Sequence, residues 1–387
     1  MYFSVFNYSL LRKLHILYKI ININNLSNLI TFEISKKNKL KIIWGLDSKN
    51  LIYTFIDINV EEYTKEEKVT ISIKFMIDIL STFQNERLFL KKNKKKTLSI
   101  HSKQGVYEVP TFYYDSHYDN ILTKISISSI KISLFSSIFL KILDKTLFAT
   151  GDNKWNPILN GVFFQFLTNK ANFIATDTYK LIKYTIKNLR TNKNFQFIVS
   201  RKHLNIIKEI IKKEFIRNEK KKNMIIIKKF NNHIFFHFKN HIFLCQSINK
   251  KYPNYHSIIS YNKKHHASFI INKFLLLNAI KRFSILSKKY FFIDFHINHN
   301  KLNICNQNTI DNDNSILESK IECKVIFDDL KKIKIGFNTK FLIEILSSLN
   351  EDFVYFELHH KMGILKPLYK QKKEESIFIL IMSTIKT

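Results

Sequence analysis

Residues 175–181, ATDTYKL, hold the densest cluster of reactive groups in this chain: a carboxylate, two hydroxyls, a phenol and an ammonium within seven positions. They lie between ANFI and IKYTI, which read as strands. Asp177 is the one candidate general acid or base. Such a group needs a second titratable partner to set its pKa or share its work, and only Lys180 is near in sequence. A polar turn between two strands accounts for the cluster better than catalysis does. His233, His237 and His241 recur at four-residue spacing in HIFFHFKNH, which on a helix would stack them into a metal site. The Ile and Phe residues between them favour a strand, where four residues span about 13 Å, too far for one ion. His265, His266, His296, His299, His359 and His360 read as polar surface. No two of the six glycines lie within five residues of each other, so neither a P-loop nor a dinucleotide fingerprint can be built. Cys245, Cys305 and Cys323 are too few and too scattered for a disulfide framework or a zinc knuckle. These residues predict no catalytic centre, no metal and no cofactor.

The chain has 387 residues, 45% hydrophobic and 14% aromatic, enough for two or three domains each with its own core. Its formal net charge of +32 favours polyanions, either nucleic acid or an anionic membrane surface. The heavy use of Lys, Asn, Ile and Phe with only 6 Gly and 4 Pro equally fits compositional drift in an A+T-rich genome. The N-terminal MYFSVFNYSLLRKLHILYKI is interrupted by Arg12, Lys13 and His15 and lacks a small-residue cleavage site. No apolar run approaches the roughly 18–20 residues of a membrane span. A soluble protein of a reducing cytoplasm is the expectation.

The elements that must position these residues recur. ISIKFMIDILSTFQNE (71–86), FIVSRKHLNIIKEIIKKE (197–214) and IGFNTKFLIEILSSLNED (335–352) each pass from a short apolar strand end into an amphipathic helix. In the second, Leu204, Ile207 and Ile211 share one face, with Lys208 and Lys212 across from them. Ser200 and Asn338 are suitable N-caps. Two strands joined by a polar turn follow each copy, then a third strand. A further helix precedes each copy: SLLRKLHILYKI, SLFSSIFLKILDKTL and NKFLLLNAIKRFSIL. The spacing of roughly 130 residues is that of a domain. The expectation is an α+β chain of three similar modules, each with two helices and two small antiparallel sheets, spanning 1–123, 124–260 and 261–387.

Four stretches then resemble one family. NPILNGVFFQF followed by ANFIATDTYKLIKYTI (156–186), KYPNYHSII (251–259), IGFNTKFLIEIL (335–346) and the terminal ILIMS are similar to successive motifs of the bacterial DNA polymerase III beta subunit. The resemblance covers essentially the whole chain and is weakest in its first third. It implies two chains joined head to tail, six domains closed into a ring around duplex DNA, sheets outside and helices lining the hole. A ring of that kind, a sliding clamp, tethers a replicative polymerase for processive synthesis and catalyses nothing itself. On that plan Lys131, Lys141, Lys145, Arg201, Lys202, Lys208, Lys212, Lys281 and Arg282 sit on predicted helices and face the phosphates, in sequence-independent, salt-sensitive contacts. Ile285 and Leu286 belong to the head-to-tail interface.

The resemblance also implies a cleft between the second and third domains. There the polymerase, the clamp loader and other replication or repair proteins insert short hydrophobic peptides. Its lining would be Leu159, Thr176, Tyr179, Lys180, Leu181, Pro253, Ile258, Phe291, Asn338, Phe341, Leu380, Ile381 and Met382, with Met362 and Ile364 aligned more loosely. Thr178 stands where the family usually has Gly or Ala, and Tyr179 where His is common. Ser257 replaces an Arg of some members, Ser383 a Pro. The basic charge departs from a family that is typically acidic. The alternative is a monomeric basic nucleic-acid-binding protein that has kept the modules without ring closure, and a metal-dependent nuclease acting through Asp177 is a second rival.

Overall fold

The structure is a computed structural model. It describes residues 1–24, 28–35, 38–47, 50–62, 67–93, 96–113, 130–189, 191, 193–214, 223–260, 266–286, 292–306, 317–328, 335–359, 361–368 and 374–385. The first stretch of chain runs β1 (Tyr2–Phe6), α1 (Asn7–Asn24), β2 (Leu29–Ser35), β3 (Lys39–Asp47), β4 (Asn50–Asp57), the short β5 (Asn59–Glu62), β6 (Lys68–Ser72), α2 (Ile73–Leu80), β7 (Arg87–Lys92), β8 (Thr97–Ser102) and β9 (Gly105–Pro110). The second runs β10 (Ile130–Phe135), α3 (Ser136–Thr146), β11 (Gly161–Leu167), β12 (Lys170–Thr176), β13 (Lys180–Lys187), β14 (Phe195–Ser200), α4 (Arg201–Glu214), β15 (Met224–Phe230), β16 (His233–Phe238) and β17 (His241–Gln246). After a one-turn α5 (Tyr255–Ile259), the third runs β18 (Ala267–Asn272), α6 (Lys273–Leu286), β19 (Phe292–Asn298), β20 (Lys301–Asn306), β21 (Leu317–Asp328), β22 (Ile335–Asn338), α7 (Thr339–Ser348), β23 (Phe353–His359), β24 (Met362–Pro367), β25 (Glu375–Met382) and β26 (Thr384–Ile385).

Apart from the short β5, α5 and β26, every stretch is strand, helix and three strands, twice over. One pairing rule holds throughout: the first strand of a stretch joins its last three, and the fifth long strand joins the middle three. All pairings are antiparallel, so the fold is α+β. The helices form where expected. On α4, Leu204, Ile207 and Ile211 are buried while Lys212 is exposed. On α7 the Asn338 carboxamide oxygen accepts from the N–H groups of Lys340 (2.9 Å) and Phe341 (3.3 Å), the expected N-cap.

The chain divides into two compact units, each discontinuous in sequence. The first comprises Met1–Leu140 and Lys202–Ser247. It holds a five-stranded sheet, β5-β1-β7-β8-β9, and an eight-stranded one, β10-β15-β16-β17-β4-β3-β2-β6. The larger sheet is two four-stranded halves joined edge to edge, β17 to β4, with Ile242 opposite Tyr53 and Phe243 opposite Ile52. A buried polar network crosses the same joint. The Glu214 carboxylate accepts from Lys13 Nζ (2.5 Å) and lies 3.0 Å from His241 Nε2, and His241 Nδ1 lies 3.0 Å from the Thr54 hydroxyl.

The second unit, Lys141–Arg201 and Ile248–Thr387, holds a thirteen-stranded sheet, β14-β11-β12-β13-β25-β24-β23-β18-β21-β20-β19-β22-β26. The same kind of joint recurs there between β13 and β25, Leu181 facing Leu380 and Ile182 facing Ile379. Its core includes stacked aromatics, Phe164 on Phe197 at 5.0 Å and Phe166 on Phe195 at 4.7 Å. The expected small sheets therefore do not stay separate: their edge strands pair, which removes exposed edges within the chain. Among the described residues no helix is long and apolar enough to cross a membrane.

Candidate functional site

The ATDTYKL segment is the hairpin between β12 and β13, and its polar groups hold the turn. Asp177 Oδ1 accepts from the N–H groups of Tyr179 (3.0 Å) and Lys180 (2.8 Å), while the Thr176 hydroxyl donates to the Lys180 carbonyl at 2.8 Å. Thr178 is held at φ 83°, a left-handed conformation that a β-branched residue adopts at a cost. The Lys180 ammonium is buried between Asp177 Oδ2 (2.9 Å) and Glu344 Oε2 (2.8 Å), over the Phe341 ring at 4.2 Å. Asp177 is thus a turn-former with an ion-pair partner, and the neighbouring acid, Glu344, meets it only through the Lys180 ammonium they share.

Residues directly opposite on paired strands share a face, and the face alternates along each strand. Leu181 and Leu380 are directly opposite, with Met382 and the paired Met362 and Ile364 on the same face. Thr176 pairs with Leu181, and Ile174, Phe163 and Ile198 continue the row across β12, β11 and β14. Phe163, Ile174, Leu181, Ile198, Met362 and Leu380 form one apolar cluster with Tyr252 and Tyr255, which come from the YPNY segment. Tyr252 stacks flat on Phe163 at 4.7 Å, and the Tyr255 hydroxyl donates to Gln165 Oε1 at 3.0 Å, pinning α5 beside the sheet. Pro253 and Ile258 are left exposed along that edge. The result is a floor of buried Leu181 and Leu380 with partly open walls: Tyr179 is 60% exposed, Ile258 44% and Met382 38%. Leu159 is buried too, in the one-turn 3-10 helix before β11. Apolar floors with a few placed polar groups suit a peptide side chain.

Tyr179 stacks on Phe341 at 5.9 Å, and its carbonyl accepts from the Met382 N–H at 2.7 Å, so the turn, α7 and β25 are bound together. Asn338 serves as the cap of α7. Two expectations need correction. Ile381 is fully buried on the opposite face, paired with Lys180 and Gly363, because it is one residue out of phase with Leu380 and Met382. Lys180 likewise underpins the turn from that face. Phe291 lies outside the described residues. Met362 is fixed on the groove face by its pairing with Met382, whereas Tyr252, Tyr255 and Phe163 were not legible as lining residues. Gly161 of the LNG motif has a steric reason: a Cβ there would lie 2.7 Å from the Val199 carbonyl oxygen.

The basic residues divide into two groups. Arg201, Lys202 and Lys212 are exposed on α4 and Lys208 is partly so, while Lys281 and Arg282 are exposed on α6. Lys131 is exposed on strand β10, not on a helix, opposite Lys228 of β15. Lys145 is buried and donates to the Ser348 carbonyl, which takes it away from any phosphate, and Lys141 is paired with Glu375. Ile285 and Leu286 are 73% and 63% exposed at the end of α6, which packs along β21. His359, expected at the surface, is buried with Nε2 3.6 Å from Glu357. His233 and His237 lie on β16 and His241 on β17, and no group of three metal-ligating residues occurs among the described residues.

Comparison with known proteins agrees across the chain. A profile described as DNA polymerase III beta subunit, central domain, matches residues 133–254, and the C-terminal domain of the same subunit matches residues 260–384. The beta sliding clamp of Buchnera aphidicola from Acyrthosiphon pisum is 24% identical over 365 residues, covering 90% of both chains. That of Staphylococcus epidermidis RP62A is 23% identical, covering 90% of this chain and 89% of the other. Among solved structures, the DNA polymerase III subunit beta of Pseudomonas aeruginosa superposes over 100% of both chains, with TM-score 0.82 and 17% identity. A DNA polymerase III beta subunit from Eubacterium rectale covers 99% of both at TM-score 0.81 and 20% identity. Two profiles of one family thus span more than half of the sequence, and the chain belongs to the DNA polymerase III beta subunit family, the sliding clamps, which are non-catalytic processivity factors.

Proposed function

We propose that two copies of this chain close head to tail around duplex DNA and hold a replicative polymerase through a short hydrophobic peptide seated in the groove of the second unit. The joint that recurs within the chain supports ring closure. The last strand of the second stretch, β17, pairs with the third middle strand of the first, β4, and β25 pairs with β13 in the same relation. By the same relation the third joint would lie between copies, from β9, an outer edge of its sheet, to β21, whose two halves already pair with β20 and β18 within this chain. β9 is a sheet edge with Val106 and Tyr107 exposed, and Ile285 and Leu286 are exposed at the end of α6, which packs along β21. An edge left open in this way is a template for pairing with another chain. The three repeating stretches, with profile matches at 133–254 and 260–384, support domains of 1–123, 124–260 and 261–387.

Retention on DNA then comes from topology, so phosphate contacts stay weak and sequence-independent. Arg201, Lys202, Lys208, Lys281 and Arg282 are the cations best placed to make them. Processivity follows from tethering, since a polymerase held to the ring re-engages its primer at high effective concentration. Leu159, Leu181, Leu380 and Met382, with Thr176, Tyr179, Pro253, Ile258 and Phe341 around them, would take the peptide. The setting is the cytoplasm, with the clamp loader and repair factors as further users of the groove. A monomeric DNA-binding role is not favoured by the family match. The test is retention after loading: protein on circular duplex DNA should stay, and should run off once the circle is linearised. Equal retention on both would overturn the ring.

A further inference from the structure

Trp155 is 95% exposed, whereas Trp44 is fully buried. Its loop is held in place. The N–H groups of Trp155 (2.8 Å) and Asn156 (3.2 Å) donate to the Asn153 carboxamide oxygen. The Asn153 N–H donates to Asn160 Oδ1 at 2.7 Å, and Asn160 Nδ2 returns a bond to the Asn153 carbonyl at 2.8 Å. The Gly151 N–H donates to the Leu159 carbonyl at 2.8 Å. A large apolar ring is therefore presented to water from fixed backbone. Beside it opens a cavity of about 510 Å³, lined by Gly151, Asn153, Trp155, Leu159, Asp177 and Tyr179. That size lies within the roughly 300–1,000 Å³ of ligand sites.

Tyr179 lines this cavity, and its carbonyl accepts from the Met382 N–H of the docking groove at 2.7 Å, so the two spaces adjoin. The charged groups lining the cavity are Asp152, Asp177 and Lys154, with Lys180 behind Asp177 at 2.9 Å, so no excess of positive charge gathers there in a chain of net charge +32. This is a poor site for phosphate, and a cavity lined by both an exposed indole and a phenol is a good one for a large apolar ring. We infer that Trp155 forms a second anchor pocket of the groove, which takes an aromatic side chain lying just beyond the partner-peptide segment held by Leu181, Leu380 and Met382. This rests on the peptide-docking reading above.

The probes are a short leucine- and phenylalanine-containing core peptide and two extensions carrying one added tryptophan-free aromatic residue, tyrosine, at either end. Affinity is read by anisotropy, and acrylamide quenching of intrinsic fluorescence reports on Trp155, since Trp44 is shielded. One extension should bind about tenfold tighter than the core peptide and protect Trp155 from quencher. Trp155→Ala should return it to the core peptide's affinity, with Trp155→Phe regaining part of the gain. A gain that is absent, or that survives Trp155→Ala, overturns the pocket. Protection by a single-stranded oligonucleotide and by neither extension also overturns it. A core peptide whose affinity ignores Met382→Ala instead removes the groove reading beneath it, and the two failures are thereby told apart.

Discussion

The Lys180 ammonium lies 2.8 Å from the Glu344 carboxylate, linking the β12–β13 hairpin to α7 through one buried cation that also contacts Asp177. Removing one partner of such a pair leaves carboxylates with no counter-charge in a desolvated place. Lys180→Met should cost about 2 kcal/mol by urea denaturation, less than for a wholly buried pair because Glu344 is a third exposed. Peptide affinity should fall as well, since Tyr179 loses its platform. Lys180→Met with Glu344→Leu should recover part of the stability.

Stability and binding should separate within the groove. Leu181 and Leu380 are floor residues, and Leu181→Ala should lower stability by about 2–5 kcal/mol along with affinity. Met382 is 38% exposed, so Met382→Ala should leave the melting temperature within about 2 °C of the parent. Its peptide dissociation constant, measured by anisotropy, should still rise roughly tenfold or more.

The turn carries strain that one substitution should release. Thr178 at φ 83° costs of order 1–3 kcal/mol, and Gly takes that conformation freely but loses more chain entropy on folding. Thr178→Gly should therefore stabilise by about 1 kcal/mol in a denaturant titration, and Thr178→Val should not.

Acid should act through the network at the β17–β4 joint. Hydrogen bonds from His241 and Lys13 outweigh burial and hold the Glu214 carboxyl down to about 2, while burial lowers the pKa of His241. A depressed carboxyl contributes stability that is full above its unfolded value near 4.5 and is lost as pH falls toward 2. A depressed histidine adds a loss that begins as pH falls below its unfolded value near 6.5. The stability this network contributes should therefore decline as pH falls. Glu214→Gln should flatten that limb by up to roughly 3 kcal/mol in pH-dependent melting.

Ring closure should depend on the end of α6. Ile285→Asp with Leu286→Asp places two carboxylates where apolar surface is expected to pair. Sedimentation at micromolar concentration should shift from two chains to one, with the far-ultraviolet spectrum unchanged because both side chains are exposed.

Period and capping made the helices and hairpins legible, since they are local: the stripe on α4 and the Asn338 cap are both visible in a dozen residues. What was not legible depends on register or on distant partners. Whether Leu380 or Ile381 faces the groove is a one-residue question, settled only by which residue stands opposite Leu181. Lys145 looks like any helix lysine until the Ser348 carbonyl arrives from two hundred positions away. His359 is buried because β23 is an interior strand, covered by its pairing with β18 and β24 on either side. The joining of half-sheets is likewise a pairing of edges far apart in sequence, and no local pattern announces it.

That joint is made of main-chain hydrogen bonds, which are indifferent to the side chains they carry. A lineage under mutational pressure can exchange most outward-facing residues for lysine, asparagine or isoleucine and keep the same seams. The 17% identity alongside a TM-score of 0.82 over the full length is what such a division of labour leaves behind: architecture inherited through the backbone, and surface chemistry free to wander until a partner restrains it.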